Sequence, residues 1–234
     1  MNSAIIVAAG KGTRMGAGVD KLFLEVAGRP VVVHTWQRYE EAACIDEIVL
    51  VVREGRQTAF QELAVRFNFR KPHCFVAGGV ERQDSVWNGL TALSSTAEIV
   101  AIQDAARPCT SEALIQATVQ AAAETGAAVA AQPVSDTIKE SADGQTILRT
   151  VDRARLWSVQ TPQTFRVEVI RRALEAVRRR GLTVTDDAAA CELIGQPVRL
   201  VRGDAPNPKV TVPADVPFIE LLLAGLAANI AEQR

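Results

Sequence analysis

The chain has 234 residues, of which 48% are hydrophobic and 23% are charged, a composition typical of a globular protein that buries a sizeable core. The formal net charge is −1, so there is no overall positive field to attract nucleic acid or an anionic membrane. Binding to nucleic acid or to a membrane is therefore not expected, and any polyanion must be bound by a local group of cations.

The N-terminal residues, the C-terminal residues and the cysteines together favour a cytoplasmic protein. Residues 1–5 carry no positive charge ahead of a short apolar run, so no signal or transit peptide is predicted. The apolar stretch 218–231 contains Glu220 and is too short to cross a bilayer. The four cysteines lack Cys-x-x-Cys spacing, which disfavours a structural zinc site and favours reduced thiols.

The first predicted element is a buried strand, at residues 4–9, that leads into a segment rich in glycines and cations. These residues are Gly10, Lys11, Gly12, Arg14, Gly16 and Lys21. Glycine lets several backbone N–H groups approach one anion, so the segment predicts a polyphosphate site. No hydroxyl residue follows the Gly-Lys pair as a Walker loop requires, and Met15 stands where a dinucleotide fingerprint needs glycine. A dehydrogenase is therefore disfavoured.

Strands and helices alternate through most of the remaining chain. Apolar runs predict strands at 48–52, 74–77, 99–102 and 198–201, and helical patterns begin near residue 31 and cover 57–67, 83–93, 111–124, 166–180, 187–194 and the region after 212. Such a series predicts a doubly wound α/β fold, with a mostly parallel sheet covered by helices on both faces. Because we find no repeat and no linker, we predict a single domain over residues 1–234.

One segment interrupts this alternation. Residues 127–139 form a long extended run, Asp143-Gly144 is a hairpin turn signal, and residues 146–151 run back. We therefore predict a protruding β-hairpin arm over residues 127–151. An isolated hairpin is marginal in water, so its apolar side chains need a cover. A second copy related by a two-fold axis would supply it, which predicts a homodimer; the alternative is an arm folded back on its own domain.

Two charged residues follow the predicted strand at 99–102. Asp104 and Arg107 would lie at the carboxyl edge of the sheet, where ligands bind in open α/β folds. A carboxylate beside a polyphosphate is a natural Mg²⁺ ligand, so Asp104 is a candidate for that role. The alternative is an ordinary surface Asp–Arg pair before a proline turn.

Two further segments join a turn to a helix start. In residues 78–85, backbone groups and the Ser85 hydroxyl could contact a base, although a plain glycine turn with Asp84 or Ser85 as the helix cap is the preferred interpretation. In residues 185–188, capping by Thr185 or Asp186 is expected whether or not the segment also contacts a substrate.

Taken together, the motifs resemble a known family. They are Ala8-Ala9-Gly10-Lys11-Gly12-Thr13-Arg14-Met15, Lys21, Gly79-Val80-Glu81-Arg82-Gln83-Asp84-Ser85-Val86, Asp104-Ala105-Ala106-Arg107-Pro108, Asp136-Thr137-Ile138-Lys139, Thr150-Val151-Asp152-Arg153, Thr161-Pro162-Gln163, Thr185-Asp186-Asp187-Ala188 and Lys209-Val210-Thr211. Their order over nearly the whole chain is similar to that of the 2-C-methyl-D-erythritol 4-phosphate cytidylyltransferases of the non-mevalonate isoprenoid pathway. Each motif is weak alone, but the series is specific.

The resemblance implies a nucleotide-diphospho-sugar transferase-like fold, a homodimer joined by the arm, and transfer of a cytidylyl group from CTP to a polyol phosphate with Mg²⁺ present. It implies catalytic roles for Arg14 and Lys21 and a clamp on the incoming phosphate by Arg153 and Lys209. The implied CTP-binding residues are Ala8, Ala9, Gly10, Gly12, Thr13, Gly79, Ser85, Asp104 and Ala105. The implied polyol-phosphate residues are Asp104, Arg107, Thr137, Thr161 and Thr185, with Asp104 also near the metal.

Four positions depart from the family pattern. Asp20 stands where proline is usual, Gln103 where histidine is frequent, Pro208 where an aliphatic residue is common and Val80 where an acidic one is frequent. These changes affect loop geometry more than reaction type. The alternative functions are a cytidylyltransferase for another polyol phosphate, such as ribitol phosphate, and a non-catalytic nucleotide-binding protein. The non-catalytic protein would be expected to lack Arg14 or Lys21, and both are present.

Overall fold

The computed structural model describes residues 1–10 and 20–232, with the side chains of the last helix described as far as Leu226. A seven-stranded sheet forms the centre, in the order β11-β7-β10-β6-β1-β4-β5. Its strands are β1 (Asn2–Ala8), β4 (Glu47–Val52), β5 (His73–Ala77), β6 (Ile99–Asp104), β7 (Ala127–Pro133), β10 (Trp157–Arg166) and β11 (Arg199–Arg202). The remaining strands form two small pairs, β2 (Glu25–Val26) with β3 (Arg29–Pro30) and β8 (Ile138–Glu140) with β9 (Arg149–Val151).

The sheet is mostly parallel, as the sequence predicts. Strand β1 pairs in parallel with β4 and with β6, β4 with β5, and β7 with β11, whereas β10 is antiparallel to both of its neighbours. The chain moves outward from β1 to β4 and β5 and then returns to place β6 on the other side of β1. The strand order therefore reverses between β1 and β6, and a ligand crevice is expected at the carboxyl ends of these strands.

Helices cover both faces of the sheet. They are α1 (Val31–Glu41), α2 (Gln57–Arg66), α3 (Arg82–Thr91), α4 (Glu112–Thr125), α5 (Val167–Arg179), α6 (Asp187–Leu193) and α7 (Val216–Glu232). Side chains alternate along β1, so Ala4 and Ile6 belong to the hydrophobic cluster that includes residues of α1, α2, α4 and α7, while Ile5 belongs to the cluster that includes residues of α3, α5 and α6. The doubly wound fold is thus confirmed, and no helix in the described part of the chain combines the length and hydropathy that a membrane span requires.

Helix ends follow local capping rules. The Ser111 hydroxyl accepts a hydrogen bond from the Leu114 N–H at the start of α4, and Gly126 ends that helix in a left-handed conformation, with φ of 88°. At α6 the Asp186 side chain accepts from the Ala189 N–H, which confirms Asp186 as the cap of the 185–188 segment.

The hairpin arm is present but begins later than the predicted residue 127. Residues 127–133 form β7, a central strand whose first five residues are buried between β10 and β11. The prediction of where the arm begins is wrong because alanines and Val129 are compatible both with a hairpin arm and with a core strand. The hairpin itself consists of β8 and β9, in which Ile138 pairs with Val151 and Lys139 with Thr150.

Strand β10 is not predicted from the sequence. Pro162 and several polar residues are typical of a loop, yet they belong to a ten-residue strand that lies between β6 and β7 in the sheet. Its pairing with β7 is irregular, because Gln160, Thr161 and Pro162 stand opposite the single residue Ala130. Such a bulge redirects side chains, and here it turns the Thr161 hydroxyl toward the backbone N–H of Asp104, 3.1 Å away.

Close packing of α3 on the sheet requires a glycine. A Cβ atom on Gly89 would lie 2.8 Å from Cγ2 of Ile5 and 3.1 Å from Cγ2 of Val51, whereas one on Gly225 of α7 would meet nothing within 4 Å. Both residues are helical, so alanine improves helix propensity equally at each and only the packing differs.

We expect Gly89→Ala to lower the free energy of unfolding by about 1 to 2 kcal/mol, because overpacking outweighs the propensity gain. The matched control, Gly225→Ala, is expected to leave it unchanged or raise it by up to about 1 kcal/mol. Urea unfolding followed by circular dichroism would measure both. Equal effects of the two substitutions would contradict the close approach of α3 to β1.

Candidate functional site

A cavity of about 380 Å³ lies at the carboxyl ends of β1, β5 and β6, where the strand order reverses. Its wall is built from five stretches of the described chain. The lining residues are Val7, Ala9, Gly10, Lys21, Leu22, Gly79, Val80, Glu81, Arg82, Ser85, Asp104, Ala105, Ala106 and Lys209. Ala9 and Gly10 after β1, the 78–85 turn and the segment after β6 therefore meet at one edge of the sheet.

The turn after β5 needs glycine at two consecutive positions. A Cβ on Gly78 would lie 2.3 Å from the Cβ of Ala9, and a Cβ on Gly79 would lie 2.2 Å from the Cβ of Asp84. Both distances are too short for real atoms, so any larger residue would push the turn away from β1 or from α3. The two glycines thus bring the backbone of this turn against the floor of the cavity.

Hydrogen bonds then fix the turn onto α3. The buried Ser85 hydroxyl accepts from the Gly79 N–H at 3.0 Å and donates to the Glu81 carbonyl at 3.3 Å. The cap of α3 is Glu81, whose N–H donates to the Asp84 carboxylate at 3.0 Å in a reciprocal capping box. The expected cap at Asp84 or Ser85 is therefore wrong; Asp84 is the reciprocal partner and Ser85 closes the turn.

Asp104 lies at the centre of a group of cations. Its Oδ2 atom is 2.7 Å from Nζ of Lys209 and 3.7 Å from Nε of Arg107, and its Oδ1 atom is 3.5 Å from Nε of Arg82. These four side chains come from β6, from the turn after it, from α3 and from the segment between β11 and α7. We call them the Asp104 cluster.

Arg82 also binds a second, buried carboxylate. Its Nη1 atom donates to Oδ2 of Asp187 at 2.8 Å, and Asp187 is only 1% exposed at the start of α6. Leaving one partner of a buried pair alone typically costs about 3–5 kcal/mol, so this contact ties α6 firmly to α3. Arg82 thereby links Asp104 on β6 to the helix that follows Thr185.

These contacts shift the pKa values of the cluster. Burial by itself would raise the pKa of Asp104, but Arg82, Lys209 and Arg107 reverse the effect and lower it to about 2. Burial opposes the charge on Arg82, yet Asp187 and Asp104 together raise the pKa of its guanidinium further above its usual value. Both groups are therefore ionised throughout the physiological pH range. Burial raises the pKa of Asp187, and the Arg82 guanidinium opposes that rise.

A buried hydrogen-bond network supports the cluster from below. The Tyr39 hydroxyl donates to Oε1 of Gln103 at 2.8 Å, and Nε2 of Gln103 donates to the Thr110 hydroxyl at 2.9 Å. That hydroxyl lies 3.1 Å from Oδ1 of Asn207, whose Nδ2 donates to the Thr161 carbonyl at 2.8 Å. Gln103 is thus an interior amide, and this departure from the family pattern is accommodated without an unpaired group.

Most of the predicted site residues that the structure describes lie in or beside the cavity. Lys21 lines it, with Nζ donating to the Val210 carbonyl at 3.1 Å. Ala8 is the buried last residue of β1, Thr161 contacts the Asp104 backbone, and the Arg107 guanidinium donates to the Asn207 carbonyl at 2.6 Å.

Three predicted phosphate-binding residues, Thr137, Arg153 and Thr185, are exposed and are not among the cavity-lining residues. Thr137 and Arg153 flank the β8–β9 hairpin, and the Arg153 guanidinium donates to the Ser135 carbonyl. Gly12, Thr13 and Arg14 lie outside the described residues, as do Lys11, Met15 and Gly16.

Sequence reasoning assigned no role to Arg82, Gln163, Asp187 or Asn207. Oε1 of Gln163 accepts from the Asp187 N–H at 3.0 Å, so it orients the start of α6. Position offers a signal for two of them, because Arg82 and Asp187 are charged and each is the first residue of a helix at the ligand edge. Gln163 lies within β10 and Asn207 in the loop after β11, where position offers none. Residue type alone could not show that they are buried together.

Asp104 also fits a role at a divalent cation. It is ionised at neutral pH, and its Oδ1 atom has a cation at 3.5 Å instead of a direct hydrogen bond. Mg²⁺ commonly binds one or two carboxylates and takes its other ligands from phosphate and water. In the described part of the chain no group of three or more acidic, histidine or cysteine residues could hold a metal.

A cationic crevice with a glycine turn, at the reversal point of a doubly wound sheet, is typical of α/β proteins that bind phosphorylated ligands. Comparisons with known proteins agree. The family profile described as 2-C-methyl-D-erythritol 4-phosphate cytidylyltransferase matches residues 2–224. The protein of that name from Geobacillus kaustophilus is 45% identical over 226 residues, covering 97% of this chain and 98% of the relative. The one from Pelotomaculum thermopropionicum is 42% identical over 231 residues, covering 98% and 97%.

Solved structures give the same result. The 4-diphosphocytidyl-2C-methyl-D-erythritol synthase of Anaerococcus prevotii is similar with a TM-score of 0.84 and 31% identity, covering 95% of this chain and 96% of that one. The 2-C-methyl-D-erythritol 4-phosphate cytidylyltransferase of Thermus thermophilus has a TM-score of 0.75 and 32% identity, covering 95% and 98%. The chain belongs to the 2-C-methyl-D-erythritol 4-phosphate cytidylyltransferase family and is therefore a nucleotidyltransferase.

The lowered pKa of Asp104 predicts how stability depends on pH. Because the folded-state pKa of about 2 lies below the usual value of 3.8, the ionised group stabilises the fold above pH 3.8, and this contribution is lost as pH falls toward 2. We expect the difference in unfolding free energy between wild type and Asp104→Asn to shrink by about 2 kcal/mol over that interval. Urea titrations from pH 7 to pH 2 would measure it, and a difference independent of pH would contradict the prediction.

Proposed function

We propose that this chain transfers the cytidylyl group of CTP to 2-C-methyl-D-erythritol 4-phosphate, forming 4-diphosphocytidyl-2-C-methyl-D-erythritol and pyrophosphate in isoprenoid precursor synthesis. The observation that carries the proposal is the full-length similarity to relatives of that name, together with a cationic cavity built from the family's motifs. Both substrates are charged and water-soluble, so the proposed location is the cytoplasm.

The reaction is a displacement at the α-phosphorus of CTP. A phosphate oxygen of the acceptor forms the new P–O bond, and the bond to the β-phosphate bridging oxygen breaks, with both electrons leaving on pyrophosphate. Negative charge on the phosphate oxygens must be stabilised as the transition state forms, so positioning and fixed cations are expected to supply most of the catalysis. We assign this role to Lys21, which lines the cavity, and by family analogy to Arg14.

The nucleotide is proposed to bind on the side formed by β1 and the 78–85 turn. There Gly78 and Gly79 bring the turn close to Ala9 and Asp84, and Ala9, Gly10, Gly79 and Ser85 line the wall. Ala8, Gly12, Thr13, Asp104 and Ala105 complete the proposed CTP-binding set. A small pocket with fixed hydrogen-bonding groups would exclude purines by size and uracil by mismatched donors and acceptors.

The acceptor phosphate is proposed to bind on the side of the Asp104 cluster. Lys209 and Arg107 contact Asp104 there, and Thr161 is held beside its backbone. Thr185 is placed in this set because it directly precedes Asp186-Asp187, which Arg82 ties to the cluster. The alternative acceptor is another polyol phosphate, such as ribitol phosphate, because residues that bind the phosphate group do not by themselves select the carbon chain.

Mg²⁺ is the proposed cofactor. Asp104 would hold it together with the phosphate oxygens of CTP, and when bound it would neutralise charge on the leaving pyrophosphate. The proposed roles of the protein residues are separate from that of the metal. The basic side chains orient both phosphates, and the glycine turn orients the cytidine.

The test is a pyrophosphate-release assay with Mg²⁺. CTP with 2-C-methyl-D-erythritol 4-phosphate should give the highest kcat/KM, and replacing CTP with UTP, ATP or GTP should lower it by at least about tenfold, as expected for missing or mismatched hydrogen bonds. Omitting the divalent cation should abolish turnover. Equal activity with UTP would refute the proposed base contacts, and a higher kcat/KM with ribitol 5-phosphate would favour the alternative acceptor.

We further propose a homodimer joined by the β8–β9 hairpin. Ile147 and Leu148 in the hairpin are 61% and 66% exposed, and Trp157 and Val159 at the neighbouring end of β10 are also exposed. This apolar surface needs a cover, and a second copy offers a surface of the same kind. Thr137 and Arg153, which do not line the cavity of their own chain, would then reach the acceptor site of the partner.

Mixing two inactive variants tests the shared site. We expect Lys21→Ala and Arg153→Ala homodimers each to lose most of their turnover, and a mixture after subunit exchange to regain up to about a quarter of the wild-type value, because one site of each hybrid keeps both cations. Light scattering would establish the dimer, and mixing each variant with itself is the control. A fully active monomer, or no recovery after verified exchange, would contradict the proposal.

A further inference from the structure

A second charged group lies behind the cavity wall, at the position where the chain departs from the family pattern. Asp20 is flanked there by Arg53 and Arg56, both from the connection between β4 and α2. With Gly10 and Phe23, which these arginines also contact, the three residues form what we call the Asp20 cluster. None of its members belongs to the Asp104 cluster, and Gly10 is its one residue that lines the cavity.

The Asp20 carboxylate joins two segments of the chain. Its Oδ2 atom accepts from Nη2 of Arg56 at 2.9 Å and lies 3.7 Å from Nη2 of Arg53. Its Oδ1 atom accepts from the Leu22 N–H at 3.3 Å, while the Asp20 carbonyl accepts from the Phe23 N–H at 3.0 Å. The carboxylate therefore closes the turn that contains Lys21 and fastens this turn to the β4–α2 connection.

The other side of the same turn is anchored in the core. Leu22 is buried, and its carbonyl accepts from the Val32 N–H at the start of α1. Lys21 thus stands between one residue fixed by packing and another fixed by an ion pair. Of these two anchors, only the ion pair can be removed without opening a cavity in the core.

The arginines themselves are held in place. The Arg56 guanidinium lies over the Phe23 ring at 5.0 Å, and this ring packs edge-on against Phe60 at 5.4 Å. Nη2 of Arg53 donates to the Gly10 carbonyl at 3.0 Å. Arg53 thus contacts both Gly10 and Asp20, and Arg56 contacts Asp20 and Phe23.

We infer that Asp20, together with Arg53 and Arg56, is a positioning group that holds Gly10 and the Lys21 turn at their places in the cavity wall. The inference deepens the proposed function and rests on it, since Lys21 has a catalytic role only there. None of the three side chains touches the substrates in this assignment; they act through Lys21 and Gly10. Misplacing a catalytic group by about an ångström can lower turnover by up to roughly a hundredfold.

A rival explanation makes the two arginines simple long-range charges that attract the triphosphate. The two explanations predict opposite signs for one substitution. If charge alone matters, Asp20→Asn makes the region more positive and should tighten CTP binding, whereas Arg56→Gln should weaken it. If positioning matters, both substitutions break the same contact and both should lower kcat.

The experiment measures kcat, KM and the CTP dissociation constant for wild type, Asp20→Asn, Arg56→Gln and the double variant. We expect each single variant to lose about tenfold in kcat with a less than threefold change in CTP affinity, and the double variant to lose no more than either single one, because residues that act as a unit are non-additive. Glu54→Gln, an exposed carboxylate-to-amide change in the same connection, is the matched control and should behave like wild type.

Thermal unfolding of each variant would confirm that the fold is retained. Opposite effects of Asp20→Asn and Arg56→Gln, multiplicative losses in the double variant, or an unchanged kcat would each overturn the inference while leaving the proposed function in place. A wild-type chain that releases no pyrophosphate from CTP with any polyol phosphate would overturn the proposed function and this inference with it. Should either single variant fail to fold, Arg53→Gln tests the same group through Gly10, with the same expected loss in kcat.

Discussion

The ion pairs of Asp104 are the constraint on which the rest of the site depends. The Asp104 carboxylate lies next to three cations, which belong to α3, to the turn after β6 and to the segment before α7. Each of those segments must be folded before the charge of the carboxylate is neutralised. A buried carboxylate without these partners would be unfavourable, so the fold and the site form together. Arg82 extends the constraint to α6 through Asp187.

The fold could largely be predicted because its elements follow local rules. Apolar runs predict the parallel strands β1, β4, β5, β6 and β11, although β7 is predicted as part of the hairpin arm. Helical patterns predict the helices, and Ser111 and Asp186 cap two of them. Strand β10 escaped prediction because Pro162 and a run of polar residues look like a loop. Its stability comes from two neighbouring strands that are distant in sequence, and no local pattern records such pairing.

The site could be predicted in part. Chemically distinctive residues such as Lys21, Asp104 and Lys209 were recognisable from motifs, and they line one cavity. Asn207 and Gln163 could not be recognised, since an amide between prolines or within a strand has no signature of its own. Their importance lies in the buried hydrogen bonds that they complete, and those depend on the packed structure.

The bulge in β10 separates two parts of one strand that differ in their surroundings and in their register with β7. Trp157 and Val159 pair with β7 in one register beside the hairpin, and Gln163 onward pairs in another register inside the core. The residues between them accommodate the shift in register, and among them the Thr161 hydroxyl accepts a hydrogen bond from the Asp104 N–H. The hairpin tip at residues 141–148 can therefore change length or sequence during evolution without moving the ligand edge, whereas a single insertion among residues 160–163 would displace it.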